Sequence, residues 1–235
     1  MRKFIAAMMV AGAAIVGGQA IAADLPYYPP IIEIPDVDYG VSGSFYLRGS
    51  AAGNLLWAKD YVPACPLLCG GGGNNLTIAG YGYSFGAGFG YETGTGLRAD
   101  LTLDYSKNHG LSDGTYTLGL RSTLLLANAY YDFSFSDYGS AAGGFGAYVG
   151  AGLGGAYNQT TVTGPLATPD GSSWAPAAAV MAGVTYDMGA LVADLGYRGV
   201  YMPQISNAQV GPNTSFYLNS PMTHELRTTL RYRFN

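Results

Sequence analysis

Hydrophobic and polar residues alternate with a period of two along most of the chain. In residues 97–106, Leu101 and Tyr105 fall on one face, and Arg98 and Asp104 fall on the other. A two-residue period indicates a β-strand with one apolar and one polar face. We predict strands in the eight segments that show this alternation: 44–53, 84–93, 97–106, 124–133, 147–158, 177–187, 191–201 and 224–235.

The connections between these segments tend to alternate in length. The first, third, fifth and seventh are generally longer, and they are rich in Gly, Asn, Ser and Pro. In chain order, they are expected at 54–77, 94–96, 107–114, 134–142, 159–173, 187–190 and 202–221. Long loops on one side and short turns on the other are typical of outer-membrane barrels. We therefore predict an all-β fold, an eight-stranded antiparallel up-and-down transmembrane β-barrel.

A soluble β-sandwich is the alternative fold, because its strands also show a two-residue period. Two features favour the barrel. Most of the charge lies on the face opposite the apolar one, and aromatic residues concentrate near strand ends, where the girdles of membrane barrels lie. These aromatic residues include Tyr91, Tyr105, Tyr131, Phe133, Tyr186, Tyr232 and Phe234.

The N-terminus has the layout of a cleaved secretory signal peptide. Arg2 and Lys3 precede an apolar stretch at 4–16, and small residues follow at 20–22. The apolar stretch is short for a bilayer span, so a retained helical anchor is the weaker alternative. We predict three segments: a signal peptide at 1–22, a Pro-rich periplasmic extension at 23–42 and the barrel at 43–235. The prolines favour an extended course for the extension, with a disordered leader or a periplasmic contact as its two interpretations.

The content of charged residues restricts the kinds of partner that the protein can bind. Charged residues make up 11% of the chain, against about 25% in typical globular proteins. Loss of Arg2 and Lys3 with the signal leaves nine basic residues against 15 acidic ones. This balance argues against nucleic acid, whose phosphates require clustered basic charge. No motif indicates a cofactor.

Several segments carry a family resemblance: "GSFYLRGSAAG", "LLLANAYYDF", "AYVGAGLGGAYN", "LVADLGYRGVY" and "HELRTTLRYRF". Over about residues 43–235 the chain resembles the opacity-type, OmpA-like surface antigens, small eight-stranded outer-membrane barrels of the alphaproteobacterial type. The resemblance implies location in the outer membrane of a Gram-negative bacterium. It also implies that Tyr232 and Phe234 belong to a signal read by the barrel-assembly machinery, although Asn235 follows Phe234. Because the family is functionally diverse, the resemblance does not define an activity.

The charged residues on the polar faces are expected to point into the barrel. There they avoid a cost of roughly 2–4 kcal/mol for each arginine facing lipid near the midplane. The predicted interior charge network comprises Arg48, Glu92, Arg98, Asp100, Asp104, Asp132, Asp194, Arg198, Glu225, Arg227, Arg231 and Arg233. Strand positions predict that Asp194 contacts Arg231 and that Arg198 lies near Glu225. Asp100 and Asp104 are about 13 Å apart by strand rise, which is too far for glycosidase-type cooperation, so we expect arginine partners for both.

The polar interior has two interpretations, a filled structural core and a narrow pore. An eight-stranded barrel has room for side chains alone, which favours a filled interior over a pore. Interior glycines at 86, 88, 90, 150, 152 and 154 leave a narrow porin-like passage as the alternative.

An outer-membrane lipid-modifying hydrolase is the third alternative. It requires a serine, a histidine and an acid in contact. His109 falls in a predicted polar loop, and His224 is adjacent to Glu225 on a strand, where neighbours point to opposite faces. We therefore expect no enzymatic activity.

Two further features of the sequence are a cysteine pair and an arginine on an outward-facing position. Cys65 and Cys69 are disulfide candidates in an oxidising compartment, while a single C-x-x-x-C pair is a weak zinc signal. Arg121 falls on the lipid-facing side of a long strand, and we hypothesise that it contacts lipopolysaccharide phosphates.

We expect an outer-membrane protein with a structural role in envelope integrity, whose loops at 54–77, 159–173 and 202–221 contact host surfaces or neighbouring lipid.

Overall fold

The computed structural model describes residues 43–58, 60–63, 80–112, 117–135, 144–163, 170–208 and 216–234. The predicted signal peptide, the extension, both cysteines and Asn235 lie outside these ranges. Within them, no helix has the length and hydropathy needed to cross a membrane.

Eleven strands are present in the described residues: β1 (Ser44–Trp57), β2 (Asp60–Pro63), β3 (Gly80–Glu92), β4 (Leu97–Ser112), β5 (Thr117–Ser134), β6 (Gly144–Thr163), β7 (Gly171–Asp187), β8 (Leu191–Tyr201), β9 (Gln204–Ser206), β10 (Phe216–Asn219) and β11 (Met222–Phe234). Eight of them close an antiparallel barrel in the order β1-β11-β8-β7-β6-β5-β4-β3. The predicted eight-stranded up-and-down barrel is confirmed. The other three form a small sheet in the order β2-β10-β9.

The register around the barrel sets the tilt of its strands. Following paired residues from Phe45 through all eight strands leads back to β1 at Leu55, ten residues further along. Such a stagger requires strands that tilt by about 35–45° from the barrel axis. At this strand number, the interior is just wide enough for side chains to fill it.

Alternating residues face opposite sides of the wall, as the sequence pattern predicts. On β4, Leu101 and Leu103 are more than half exposed on the outside, while Asp100 and Asp104 are buried inside. The same division holds on β11, where Leu226 and Leu230 are exposed and the arginine that follows each of them, Arg227 and Arg231, is buried. The wall therefore separates an apolar surface from a charged interior.

The outer surface consists of an aliphatic band between two aromatic girdles. Leucine and valine side chains form most of the band, together with Phe85 and Phe89; they include Leu47, Leu101, Leu103, Leu125, Val149, Leu153, Val180, Leu195, Leu226 and Leu230. One girdle contains Phe45, Tyr131, Phe133, Phe145, Tyr186, Tyr232 and Phe234; the other contains Trp57, Tyr81, Tyr83, Tyr105, Trp174 and Tyr201. Leu97 and Lys107 are ten residues apart on β4. With strand rise and a tilt of about 40°, this corresponds to a height of about 25 Å, which matches the apolar band of membrane barrels.

The two ends of the barrel differ. We call the end with connections 93–96, 135–143 and 188–190 the turn end; both termini of the described barrel, Gly43 and Phe234, lie there. The opposite end is the loop end. At the turn end, the backbone N–H of Gly189 donates to Asp187 Oδ1 at 2.8 Å, and its φ of 88° is one that glycine adopts readily.

Several predicted loop boundaries are wrong, because the strands at the loop end are longer than the alternation indicates. The third connection, predicted at 107–114, is reduced to 113–116 because β4 continues to Ser112. His109 is therefore in a strand, opposite Tyr81 on β3. The fifth predicted loop is also shortened, since β6 extends to Thr163 and β7 begins at Gly171.

The first and seventh predicted loops contain regular structure where none was predicted. β2 lies in the first, β9 and β10 lie in the seventh, and β10 pairs with both other strands. Ile205 and Leu218 from this sheet are fully buried in the same apolar cluster as Leu56. Three- and four-residue strands are too short to show a periodic pattern, which is why the sequence did not indicate them.

Candidate functional site: the interior charge network

Among the described residues, thirteen charged side chains occupy the inner face of the barrel, and every one forms an ion pair. They are the twelve residues of the predicted network together with Asp187, which pairs with Arg233. Six are arginines and seven are acids. Near neutrality and complete pairing are what a buried charged interior requires.

A four-residue cluster lies nearest the loop end. Arg198 donates to Asp104 at 2.6 Å and to Glu225 at 2.7 Å. Arg227 donates to the same two acids at 2.8 and 3.0 Å. Ser84 adds a hydrogen bond to Glu225 at 3.1 Å. Each acid thus receives two cations, and the predicted proximity of Arg198 and Glu225 is a direct contact across paired strands.

A second group is centred on Asp100, at a lower level. Its carboxylate accepts from Arg48 at 2.7 Å, from the Tyr46 hydroxyl at 3.0 Å and from the Asn128 amide at 2.7 Å. Arg48 also donates to the Tyr130 hydroxyl at 2.7 Å. Tyrosine and asparagine thus supply hydrogen bonds that the arginine alone does not provide.

Arg98 joins the ionic and aromatic parts of the interior. It donates two hydrogen bonds of 3.0 Å to the carboxylate of Asp132. Its guanidinium lies 4.0 Å from the centroid of the Tyr130 ring and 5.5 Å from that of Tyr148, within the range of cation–π attraction. The two rings contact each other edge to face at 5.9 Å. The network predicted from the sequence includes Arg98 but neither of these inward-facing tyrosines.

The turn end is held by two arginines of β11. Arg231 forms a two-point contact with Asp194 at 3.0 and 3.1 Å and reaches Glu92 at 3.3 Å. Arg233 contacts Glu92 and donates to Asp187 at 2.5 Å. The contact between Asp194 and Arg231 that strand positions predicted is therefore formed. A space of about 680 Å³ opens below these groups, lined by Glu92, Arg231 and Arg233 among others.

Toward the loop end, the interior contains an apolar cluster beside buried polar side chains such as Asn54, Ser106 and Asn158. β5 points four leucines inward, and they pack with residues of β1, β6, β7, β8 and the small sheet. The cluster contains Leu56, Ala58, Leu118, Leu120, Leu124, Leu126, Ala156, Ala177, Ala179, Val200, Met202, Ile205 and Leu218. We call this cluster the apolar plug. This cluster was not predicted, although alternation along β5 places Leu124 and Leu126 on the same side as the inward-facing Asn128.

Interior glycines make room for the side chains of neighbouring strands. A Cβ on Gly86 would overlap the carboxylate of Asp104, and one on Gly150 would overlap the ring of Tyr130. At these two positions, space that would contribute to the proposed narrow passage is occupied by side chains.

The geometry for hydrolysis is absent from the described residues. His109 and His224 lie on the outward side of β4 and β11, away from the interior acids. His224 Nδ1 is 2.6 Å from the Tyr197 hydroxyl. Asp100 and Asp104 each contact arginine. Among the described residues, no group of three or more His, Cys, Asp or Glu is arranged to hold a metal ion.

The remaining assigned residues lie on the outer surface. Tyr232 and Phe234 are exposed on β11, with ring centroids 5.4 Å apart. Arg121 is exposed on β5 at the loop end. These positions do not test a contact with assembly machinery or with lipid. The assembly signal at Tyr232 and Phe234 and the lipopolysaccharide contact of Arg121 therefore stay predictions.

The closed barrel, its filled charged interior and its lipid-facing band define the class: this chain is an eight-stranded transmembrane β-barrel of the outer-membrane type. No family model matches the sequence, and no curated protein matches it. Solved structures are similar in fold.

Neisserial surface protein A matches with a TM-score of 0.52 and 22% identity, over 81% of this chain and 97% of that one. Two weaker matches are Ail from Yersinia pestis, with a TM-score of 0.42, 12% identity and coverage of 82% and 98%, and OprG from Pseudomonas aeruginosa, with a TM-score of 0.41, 18% identity and coverage of 83% and 98%. At these identities, the similarity concerns the fold alone.

Proposed function

We propose that this protein is a structural component of the outer membrane of a Gram-negative bacterium. Its barrel is a closed, rigid anchor that presents loops at the cell surface and contributes to envelope integrity. The turn end faces the periplasm, where short connections of such barrels lie, and the loop end faces outward. An opacity-type relationship, a signal peptide at 1–22 and a periplasmic extension at 23–42 are parts of this proposal.

The observation that carries the proposal is the filling of the barrel interior by side chains at its middle and toward the loop end, above the open space at the turn end. Ion-paired groups occupy the middle and the turn end, while the apolar plug occupies the loop end. An ion crossing this interior would have to separate buried ion pairs, which costs several kcal/mol each. It would then have to pass the buried apolar side chains of the plug. A structural role follows more directly from this arrangement than conduction does.

Conductance of the refolded barrel in planar bilayers tests the proposal. We expect no stable channel steps at protein concentrations at which each inserted molecule can be observed singly. Insertion is checked separately by heat-modifiable migration in gels and by the emission of Trp57 and Trp174, which face lipid. Stable, large conductance from inserted wild-type protein would refute the structural role and establish the porin-like alternative.

The envelope role is tested in cells that lack the gene. We expect increased sensitivity to detergent and bile, restored by the wild-type gene. A knockout with normal envelope resistance would contradict the proposal.

Surface contact is a separate part of the proposal, with host surface molecules as the candidate partners. The described bases of the first and seventh loops are joined through β2, β10 and β9. Ile205 and Leu218 of this sheet belong to the plug, so the described bases of both loops are tied to the barrel interior. Adhesion of wild-type cells and of cells whose loop 209–215 is replaced by a Gly-Ser linker would test the contact; equal adhesion would contradict it.

The enzymatic alternative has its own test. Replacement of both His109 and His224 by alanine should leave lipid A composition unchanged, as measured by mass spectrometry of extracted lipid. A changed composition would identify a lipid-modifying activity that the described geometry does not predict.

A further inference from the structure

Two basic residues stand apart from the interior network. The described residues include eight lysines and arginines, of which six point into the barrel and form ion pairs. The other two, Lys107 on β4 and Arg121 on β5, occupy strand positions that face outward. They are Cα partners in the register of these strands. The outer surface thus carries its two described cations directly beside each other.

This arrangement is unfavourable without a negative partner. Like charges directly opposite each other on neighbouring strands destabilise the pair. Neither Lys107 nor Arg121 forms an ion pair with an acid in the part of the chain that the structure describes. Asp170 is exposed and lines a surface depression that Arg121 also lines. A second anion placed between the two cations would remove their repulsion.

The level of the pair along the barrel indicates what that anion is. Lys107 lies about 25 Å above Leu97 along the barrel axis, at the edge of the apolar band. Tyr83 is paired with Lys107, and Tyr157 and Trp174 lie nearby with ring centroids 5.3 Å apart. Aromatic girdles of this kind mark the headgroup level of a bilayer. Lys107 and Arg121 therefore lie at the depth of lipid phosphates.

Above the pair, the wall continues beyond the membrane with a polar outer face. β4, β5 and β6 all extend past the cations, and their outward residues there include Thr117, Thr161 and Thr163. Two depressions flank Arg121, with volumes of about 580 and 210 Å³. The Gln159 amide lines the larger depression, and the Thr161 hydroxyl lines both. Such a surface suits a sugar headgroup that is attached to a phosphate.

We propose that Lys107 and Arg121 form a binding site for the phosphate of a phosphorylated glycolipid of the outer leaflet. The acyl chains would lie against the aliphatic band, the phosphate between the two cations, and the sugar against the hydroxyl-lined wall. This inference extends the hypothesis for Arg121 by adding the second cation and the geometry. It rests on the proposed outer-membrane location.

The test measures binding of lipid A to the purified full-length barrel in a neutral detergent by native mass spectrometry. We expect one molecule of bisphosphorylated lipid A per barrel. Each basic residue near a membrane surface contributes about a fivefold change in affinity, so the double variant Lys107→Gln with Arg121→Gln should bind about 25-fold more weakly. The variant Lys107→Arg with Arg121→Lys keeps both charges and should bind within about threefold of wild type.

Three outcomes would overturn the inference. They are unchanged binding by the double glutamine variant, equal binding of dephosphorylated lipid A, and displacement of lipid A by millimolar inorganic phosphate, which would indicate a small-anion site. Heat-modifiable migration shows whether each variant is folded, and both cations are on the surface. The detergent assay reads the site directly. Cell fractionation tests the outer-membrane location separately, so the two proposals fail on different results.

Discussion

The four-residue cluster of the barrel interior leads to a quantitative prediction about stability. Arg198 is fully buried and donates to both Asp104 and Glu225. In the variant Arg198→Met, a side chain of similar length keeps most of the packing but removes the charge. Two buried carboxylates then share the single guanidinium of Arg227, which contacts both.

The expected loss in the free energy of unfolding follows from this geometry. Removing one partner of a buried ion pair typically costs about 3–5 kcal/mol, because it leaves an uncompensated charge. Each acid here keeps Arg227, and Glu225 also keeps Ser84, so we expect a loss of about 3 kcal/mol, at the low end of that range. Adding Glu225→Gln leaves Asp104 and Arg227 as a neutral pair. The double variant should therefore recover about 1–2 kcal/mol of the loss.

Reversible urea unfolding in phosphatidylcholine vesicles measures these differences. The lipid-facing Trp57 and Trp174 report insertion through their emission. Arg121→Met is the matched control, because it makes the same chemical change at a residue without an ion pair among the described residues; we expect a change within about 0.5 kcal/mol in vesicles free of lipopolysaccharide. An Arg198→Met loss below about 1 kcal/mol, or a double variant less stable than the single one, would refute the reasoning.

Three more predictions concern packing and position. Gly150→Val places a side chain against the Tyr130 ring and should cost about 1–3 kcal/mol in the same unfolding assay, whereas Gly49→Val enters open space on the lipid side and should be nearly neutral; equal effects would contradict the packing argument. Ile205→Ala in the apolar plug should cost about 2–5 kcal/mol, seen as faster proteolysis of the outer loops on intact cells; unchanged cleavage would contradict it. Brominated lipids with bromine near the headgroup should quench Trp174 emission more than lipids brominated at the chain ends, and the reverse order would misplace the outer girdle.

The barrel itself was predictable because most of its strands have two chemically distinct faces. Residues 97–106 alternate without interruption, and in the structure their apolar members face out and their polar members face in. The contact between Asp194 and Arg231 was also predictable. Both side chains fall on inward-facing positions, and the antiparallel pairing of their strands determines which side chains can meet. The charge network thus follows from parity and topology together.

The loop end was less predictable for identifiable reasons. The segment around His109 reads as a turn because of Gly110, but that glycine has a φ of 85° and lies at a register shift, so β4 bulges and continues. The run Leu124–Leu126 is apolar on both faces, which hides the direction in which each leucine points. Where both sides of a strand are apolar, alternation gives no information about the interior, and the apolar plug was missed.

The C-terminal strand has a particular role in this interior. Seven of the ten ion pairs among the described residues involve β11. Its three arginines contact acids of β3, β4, β7 and β8, and β11 also pairs with β1 to close the wall. Until β11 is in place, acids such as Asp194 and Glu92 lack their main cation in the barrel interior. Since an unpaired buried charge is costly, closure of the barrel and completion of the network stabilise each other. Sheets left open at the β1–β11 seam are correspondingly disfavoured, so a strand with arginines inside and leucines outside is well suited to be the one that closes the barrel.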